Sequence, residues 1–179
     1  IQDDPQYETA KARSALARFV TLHPENLSQK AEIIVEHFRQ KIAHRVGGKA
    51  KAMVVCSSRP HAVKMRDQLC SYISDHGYDL GVLVAFSGEV DGLTESKANG
   101  FPETRTAEEF DGDDWQIMVV AEKFQTGFDQ PKLAAMYVDK TLTGLAAVQT
   151  LSRLNRTHPD KSGTFVLDFV NDSVQIQES

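Results

Sequence analysis

The stretch Ala52–Phe86, which reads AMVVCSSRPHAVKMRDQLCSYISDHGYDLGVLVAF, decides the fold class. It begins and ends with short continuous apolar runs, at Ala52–Cys56 and Gly81–Phe86. Runs of this kind are typical of strands that are buried on both faces. Between them, Pro60–His76 carries a helical pattern. A strand, a helix and a second strand in this order predict a right-handed crossover between parallel strands.

The same alternation continues along the chain. Three further apolar runs predict strands, at Gln116–Ala121, Ala135–Val138 and Thr164–Phe169, and two periodic segments predict helices, at Thr104–Phe110 and Thr143–Asn155. We therefore predict a three-layer α/β domain with a mainly parallel sheet that is covered by helices. The polar segment Ser87–Phe101 contains three glycines, and we predict that it is a long loop.

The chain ahead of this alternation is predicted to be a helical connector at residues 1–46, followed by the main domain at residues 47–179. Tyr7–Val20 could form a short helix. A longer helix, capped by Asn26 or Ser28, is predicted to end at Gly47-Gly48. Its apolar residues recur at helical spacing: Ala31, Ile34, Val35, Phe38 and Ile42.

Composition and net charge indicate a folded domain and exclude a strongly basic protein that binds nucleic acid over its whole surface. The 179 residues are 41% hydrophobic and 25% charged, which is typical of a folded, soluble domain. The net charge of −5 gives no overall basic field, so any contact with nucleic acid must be local. The chain starts with Ile1, without a signal sequence, and we expect it to be part of a longer protein.

Cysteine and histidine spacing gives no sign of a metal site. Cys56 lies in an apolar run and Cys70 in a helical pattern, which predicts reduced thiols in a cytoplasmic protein. The six histidines show no ligand spacing, and we predict that they lie on the surface. The sequence therefore predicts no metal-binding residues.

Ligands of open parallel sheets bind at the carboxyl ends of the strands. The residues that directly follow the predicted strands are therefore candidates for a functional site. They are Ser57-Ser58-Arg59, Ser87-Gly88, Glu122 to Asp129, and Asp139-Lys140.

The last predicted helix presents Gln149, Arg153 and Arg156 on one face, beside an apolar face made by Leu145, Val148 and Leu151. The planar fork of arginine suits phosphate oxygens, because it keeps its charge and donates two parallel hydrogen bonds. Two such groups could stabilise the charge that develops as a terminal phosphate leaves. The alternative is that both arginines are solvated or ion-paired surface residues.

Thr126-Gly127-Phe128-Asp129 follows the strand at Gln116–Ala121 and supplies further candidates. The glycine lets a backbone approach a ligand, the threonine hydroxyl can bond a phosphate, and the carboxylate can accept from a ribose hydroxyl. Taken alone, this tetrapeptide could also be an ordinary turn. Its pairing with a glutamine and two arginines about twenty residues later favours a ligand site.

These motifs together resemble the second RecA-like domain of superfamily 2 helicases and translocases. Gln149–Arg156, QTLSRLNR, is similar to motif six of that family, with Ser152 where the family usually has glycine. TGFD resembles motif five, and Ala52–Cys56 with the following SSR resembles motif four. The longer stretches KAMVVCSSRPHAVKM, VVAEKFQTGFDQPKL and VQTLSRLNRTHPDKSGTFVLDF resemble the motor subunit of type I restriction endonucleases. The resemblance covers about residues 31–171.

The resemblance implies an ATP-driven translocase that moves double-stranded DNA toward a cleavage event. Arg153 and Arg156 would be arginine fingers that complete an ATP site between two RecA-like domains. Gly127, Asp129 and Gln149 would also bind ATP, and Gln149 would link this site to the DNA. The residues near the DNA backbone would be Ser58, Arg59, Ser87, Gly88 and Thr126.

The resemblance also implies cofactors and partners. The intact subunit would use ATP and Mg²⁺, and its partners would be double-stranded DNA, its own first RecA-like domain, and the methyltransferase and specificity subunits. Gly47-Gly48-Lys49-Ala50 is not a complete phosphate loop, since the first glycine and the final hydroxyl are missing. No apolar run ends in an Asp-Glu pair that could hold magnesium. We therefore expect this chain alone to be inactive and to carry no bound cofactor, with the nuclease elsewhere in the subunit.

Two alternatives stay open at the level of sequence. The chain could be the second motor domain of another superfamily 2 enzyme, such as a DNA-repair helicase. It could also be a nucleotide-free interaction scaffold with the same fold. In the scaffold, Arg153 and Arg156 should pair with carboxylates inside the domain.

Overall fold

A computed structural model describes residues 23–123, 129–142, 144–155 and 163–170, without the side chains of residues 146, 153 and 155. In the described residues, the α-helices of five or more residues are α1 (Pro24–His37), α2 (Arg59–Asp75), α3 (Glu95–Asn99), α4 (Thr106–Asp111) and α5 (Gly144–Leu151). A four-residue helical turn lies at Arg45–Gly48. The strands are β1 (Lys51–Cys56), β2 (Val82–Ala85), β3 (Glu89–Val90), β4 (Leu93–Thr94), β5 (Ile117–Val120), β6 (Leu133–Asp139) and β7 (Phe165–Asp168). The helix predicted at Tyr7–Val20 lies outside the described residues.

The main sheet has the order β2-β5-β1-β6-β7, and every neighbouring pair in it is parallel. The central strand β1 is hydrogen-bonded on both sides, so that Val54 lies opposite Val119 of β5 and Tyr137 of β6. All five predicted apolar runs form strands of this sheet, which confirms the predicted α/β fold. Parallel pairing brings the carboxyl ends of neighbouring strands to one edge of the sheet, the carboxyl edge.

Alternate strand residues feed two apolar cores, one on each face of the sheet. Helices α1 and α2 pack together on the first face, and α4 with Leu154 covers the second. The apolar residues predicted along the first helix are fully buried there, which confirms that pattern: Ala31, Ile34, Val35, Phe38 and Ile42. Helix α1 thus shares a core with the sheet, and the division at residue 46 stays a prediction. Cys56 and Cys70 form no disulfide, and burial raises the pKa of both thiols.

The first helix begins earlier than Asn26 or Ser28. Its cap is His23, whose Nδ1 accepts from the Glu25 N–H at 3.3 Å. The helix begins at Pro24, because the fixed φ angle of proline suits the first helical position. The chain continues beyond His37 as a π-helical segment, Phe38–Ile42.

The predicted long loop at Ser87–Phe101 is wrong, because this segment contains the β3–β4 hairpin and α3. Asp91 and Gly92 join the two strands with φ angles of 49° and 80°. An Asp-Gly pair in this conformation is a strong hairpin signal, which the sequence prediction missed. Thr94 then caps α3 by accepting from the Lys97 N–H at 3.3 Å.

Helix α3 occupies the place that a neighbouring strand would take beside the edge strand β2. Asn99 accepts from the Val84 N–H at 3.0 Å and donates to the Val84 carbonyl at 2.8 Å. Glu95, one helical turn earlier, accepts from the Phe86 N–H at 2.9 Å. These side chains satisfy edge groups that would otherwise invite pairing with another chain.

The last predicted helix, Thr143–Asn155, is shorter in the structure. Helix α5 ends at Leu151 and is followed by a 3₁₀ turn, Ser152–Asn155, which carries Leu154 into the core. The predicted apolar face is therefore only partly buried, with Leu145 70% and Val148 65% exposed. None of the helices in the described residues is long and apolar enough to span a membrane.

Lys51 opens β1 at the opposite, amino edge of the sheet and is only 3% exposed. Its ammonium group donates to the carbonyls of Gly112 and Trp115, and it lies 5.0 Å from the centre of the Phe110 ring. Burial, with a smaller effect from Lys132, lowers the pKa of Lys51 to about 8. The folded protein therefore holds this proton less tightly than the unfolded chain does.

We predict that Lys51→Met removes part of the pH dependence of stability. Between the folded pKa of about 8 and an unfolded pKa of about 10.4, the unfolded chain binds more protons, so the free energy of unfolding rises with pH. Between about pH 7 and pH 10, the free energy of unfolding of the wild type should rise by about 2 kcal/mol more than that of the variant. Urea unfolding at a series of pH values measures this difference.

The matched control is Lys49→Met, because Lys49 is exposed two residues away. It should follow the wild type across the whole pH range. Parallel curves for the wild type and Lys51→Met would contradict a lowered pKa for Lys51.

Candidate functional site

The carboxyl edge of the sheet gathers the segments that follow β1, β2, β5 and β6. Ser58 lies there as the cap of α2, where its Oγ accepts from the His61 N–H at 3.2 Å. Because this oxygen closes the first turn of α2, Ser58 fixes where the following Arg59 emerges.

Arg59 joins the segment after β1 to the segment after β2. Its Nη1 donates to the Ser87 carbonyl at 3.0 Å, and all three of Arg59, Ser87 and Gly88 are exposed. Gly88 has a φ of 74°, and a Cβ at this position would lie 2.7 Å from Arg59 Nη1. The backbone conformation therefore favours glycine, whereas the guanidinium lies at the end of a flexible, exposed side chain and could move aside. The structure thus brings together four of the residues predicted to lie near DNA, including Ser58.

A buried charge cluster joins the ends of β1 and β6. Asp139 Oδ1 lies 2.7 Å from Lys30 Nζ, and Asp139 Oδ2 lies 2.8 Å from His61 Nε2. Burial acts to raise the pKa of Asp139, but hydrogen bonds from His61 and Lys30 hold it below its ordinary value. His61 Nδ1 accepts from the Ser57 N–H at 3.1 Å and lies 2.9 Å from Ser57 Oγ. The cluster therefore fixes the chain where it leaves both strands.

The prediction of surface histidines is wrong for His61, which is fully buried. His37 is half-buried as well, with Nδ1 2.6 Å from the Tyr137 hydroxyl. A signal for His61 was present, since it shares a helix face with Met65 and Leu69 at four-residue spacing, and both of these are buried. The spacing could not predict that His61 contacts the carboxylate of Asp139, which lies 78 residues away in the chain.

A second buried carboxylate, Glu95, lies beside the segment after β5. It accepts from the Phe86 N–H, from Thr106 Oγ1 at 2.8 Å, and from Lys123 Nζ at 3.0 and 3.1 Å. Sequence reasoning missed this residue, because Glu95 lies in the segment predicted to be a loop. No periodic signal in that segment marks it as buried.

The predicted nucleotide-binding residues are described only in part. Asp129 and Gln149 are exposed. The backbone of Arg153 lies in the 3₁₀ turn after α5, and its side chain is outside the described residues. Thr126, Gly127 and Arg156 also lie outside the described residues, so their roles remain predictions.

Within the part of the chain that the structure describes, no group of three or more His, Cys, Asp or Glu side chains is arranged to hold a metal ion.

Comparison with known families finds a match to part of the chain. Residues 99–171 match the family described as type I restriction enzyme subunit R domain 3. The chain is 28% identical over 160 residues to the type I restriction enzyme HindI endonuclease subunit of Haemophilus influenzae, covering 82% of this chain and 15% of that protein. It is 27% identical over 189 residues to a Methanocaldococcus jannaschii protein provisionally named the type I restriction enzyme MjaIXP endonuclease subunit. That match covers 100% of this chain and 17% of the relative.

Solved structures share this fold. T4 UvsW superposes with a TM-score of 0.54 at 16% identity, over 93% of this chain and 28% of UvsW. Domain 2 of the DEAD-box helicase Mss116p, solved bound to an RNA duplex, superposes with a TM-score of 0.50 at 21% identity. That match covers 81% of this chain and 50% of the Mss116p chain. At these identities the likeness is one of fold.

The chain spans less than a fifth of the length of the curated relatives that it matches. The family match includes the predicted motifs five and six, Thr126–Asp129 and Gln149–Arg156. The comparisons confirm the resemblance predicted from those motifs: the chain is similar to the R subunits of type I restriction enzymes, and its fold is that of a RecA-like helicase domain.

Proposed function

We propose that this chain is the second RecA-like motor domain in the restriction subunit of a type I restriction-modification system. In this role the intact subunit is an ATP-dependent translocase of double-stranded DNA. The observation that carries the proposal is the match of residues 99–171 to domain 3 of these R subunits, in a chain with a RecA-like fold. The matched segment includes both motifs assigned to the nucleotide.

ATP would bind between this domain and the first RecA-like domain of the same subunit. Arg153 and Arg156 would contact the terminal phosphate as arginine fingers, while Gly127, Asp129 and Gln149 would lie near the rest of the nucleotide. The guanidinium groups would neutralise the charge that builds up on the departing phosphate. Closure of the two domains around ATP and reopening after hydrolysis would then step the protein along DNA.

The DNA backbone would lie along the carboxyl edge, near Ser58, Arg59, Ser87, Gly88 and Thr126. The exposed guanidinium of Arg59 beside the exposed Ser87-Gly88 backbone supports this placement. Phosphates are bound by arginine side chains and by backbone N–H groups, without reading the base sequence. The net charge of −5 makes such a local contact necessary.

The remaining parts of the enzyme would come from outside this chain. Mg²⁺ and the phosphate loop would belong to the first RecA-like domain, and a separate nuclease domain would cut the DNA. The methyltransferase and specificity subunits would complete the restriction complex. On this proposal the chain alone hydrolyses no ATP.

The central test of this proposal uses the intact subunit, with Arg153→Ala and Arg156→Ala examined separately. Each variant should lose DNA-stimulated ATP hydrolysis by about 10³-fold or more, because an arginine finger acts on the transition state. Thermal unfolding should match that of the wild type. Steady-state ATPase assays with and without double-stranded DNA measure the effect.

Arg105→Ala is the matched control, since Arg105 is more than half exposed and pairs with Glu109 on the surface. It should leave turnover unchanged. Near-wild-type turnover in both Arg153→Ala and Arg156→Ala would contradict the assignment and favour the scaffold alternative.

A second prediction concerns the DNA. Arg59→Ala in the intact subunit should raise the DNA concentration needed for half-maximal ATPase stimulation. It should also reduce the slope of log affinity against log salt by about 1, because one phosphate contact is lost. Titrations at several salt concentrations measure both quantities.

The control for this experiment is Arg39→Ala. Arg39 stacks on Tyr78, where the chain approaches the start of β2 at the amino edge. Its removal should leave the salt slope unchanged. An unchanged slope in Arg59→Ala would remove this residue from the proposed DNA contact.

A further inference from the structure

We propose that Glu95 is a positioning residue that couples DNA binding after β2 to nucleotide chemistry after β5. The inference rests on the proposed function, because it needs a DNA contact at Ser87-Gly88 and a nucleotide site that includes Gly127 and Asp129. Glu95 touches neither ligand in this account. It acts by holding Phe86 and Lys123, which precede the two proposed contact segments in the chain.

Burial makes the contacts of Glu95 obligatory. Its side chain has no solvent exposure, and a carboxylate without water is stable only where donors surround it. Four hydrogen bonds meet this need: Oε1 accepts from the Phe86 N–H and Lys123, and Oε2 accepts from Thr106 and Lys123. Loss of any one donor leaves a buried charge partly unsatisfied.

The hydrogen-bond donors to Glu95 come from segments that are distant from one another in the sequence. Phe86 directly precedes Ser87-Gly88, and Lys123 stands three residues before Thr126. One carboxylate therefore binds the end of β2 and the segment that leads from β5 into the proposed nucleotide motif. A shift of either segment must move the carboxylate or break its hydrogen bonds.

The ion pair between Lys123 and Glu95 is not a surface ion pair. Its side chain is mostly buried, and both Glu95 oxygens lie within 3.1 Å of its ammonium group. Water and salt screen such a pair far less than an exposed one. Lys123 also reaches Glu103, but at 3.4 Å and with a largely exposed carboxylate. The contact with Glu95 is therefore the shorter and more buried of these two ion pairs.

The connection extends to the segment after β1. Arg59 donates to the Ser87 carbonyl, one residue beyond the Phe86 N–H that Glu95 accepts. The contacts thus form one chain, from Arg59 through the end of β2 and Glu95 to Lys123. Three of the segments at the carboxyl edge are linked through it.

A purely structural role for Glu95 makes a different prediction. In that case its loss would weaken the edge of β2, where Asn99 supplies two hydrogen bonds of its own. Stability would fall, and turnover with and without DNA would fall together. A positioning role instead changes the ratio between the two turnover rates.

The test uses the intact subunit with Glu95→Gln, which keeps the size of the side chain and removes the charge that holds Lys123. We expect the ratio of DNA-stimulated to DNA-free ATP turnover to fall by about 10-fold to 100-fold, the size of effect that misplacement of catalytic groups produces. Glu103→Gln is the matched control, because it makes the same chemical change at the exposed partner of Lys123. Its ratio should equal that of the wild type.

Lys123→Gln is the second variant, since it keeps a donor for Glu95 but removes the opposite charge. It should lower the ratio to a similar degree. The double variant Glu95→Gln/Lys123→Gln should be no worse than either single change, because both break the same contact. If Glu95→Gln does not fold, Lys123→Gln alone decides the question.

The outcomes separate this inference from the proposed function. A wild-type subunit whose ATPase does not respond to double-stranded DNA would overturn the proposed function and this inference with it. A DNA-stimulated wild type with an unchanged ratio in the folded variants would overturn the positioning role of Glu95 alone. Equal losses with and without DNA would also overturn it.

Discussion

The parallel pairing of β1 with β5 on one side and β6 on the other is the constraint on which the rest of the structure depends. It brings the carboxyl ends of these strands, and of β2 beyond them, to one edge of the sheet. Polar contacts then join neighbouring segments along that edge, from Asp139 and His61 to Arg59 and Ser87, and from Phe86 through Glu95 to Lys123. Side-chain contacts therefore link neighbouring segments along this edge.

The two buried carboxylates, Asp139 and Glu95, have similar surroundings. Each is closed off from solvent and is held by a lysine whose side chain is only partly exposed, Lys30 or Lys123. Each also accepts from a group in a second segment. Buried ion pairs seldom stabilise a fold more than apolar residues of the same volume would. We infer that these pairs fix the segments at the carboxyl edge, where position matters more than stability.

The sequence predicted the sheet well, because strands buried on both faces must be apolar throughout, as at Ala52–Cys56. It also predicted that Arg59 and Gly88 would lie at one edge, since this follows from parallel strands. The burial of His61 was indicated by its spacing with Met65 and Leu69, but its partner Asp139, 78 residues away, was not. The burial of Glu95 could not be predicted, because its partner Lys123 lies 28 residues away in the chain. The β3–β4 hairpin was missed because its strands are only two residues long.

The most direct test of the account is a structure of the intact subunit bound to double-stranded DNA and a non-hydrolysable ATP analogue. We expect DNA phosphates within hydrogen-bond distance of Arg59 and the Ser87-Gly88 backbone, and the terminal phosphate of ATP facing Arg153 and Arg156. DNA bound at the amino edge of the sheet would contradict it. So would arginines that pair with carboxylates inside this domain and stand away from the nucleotide.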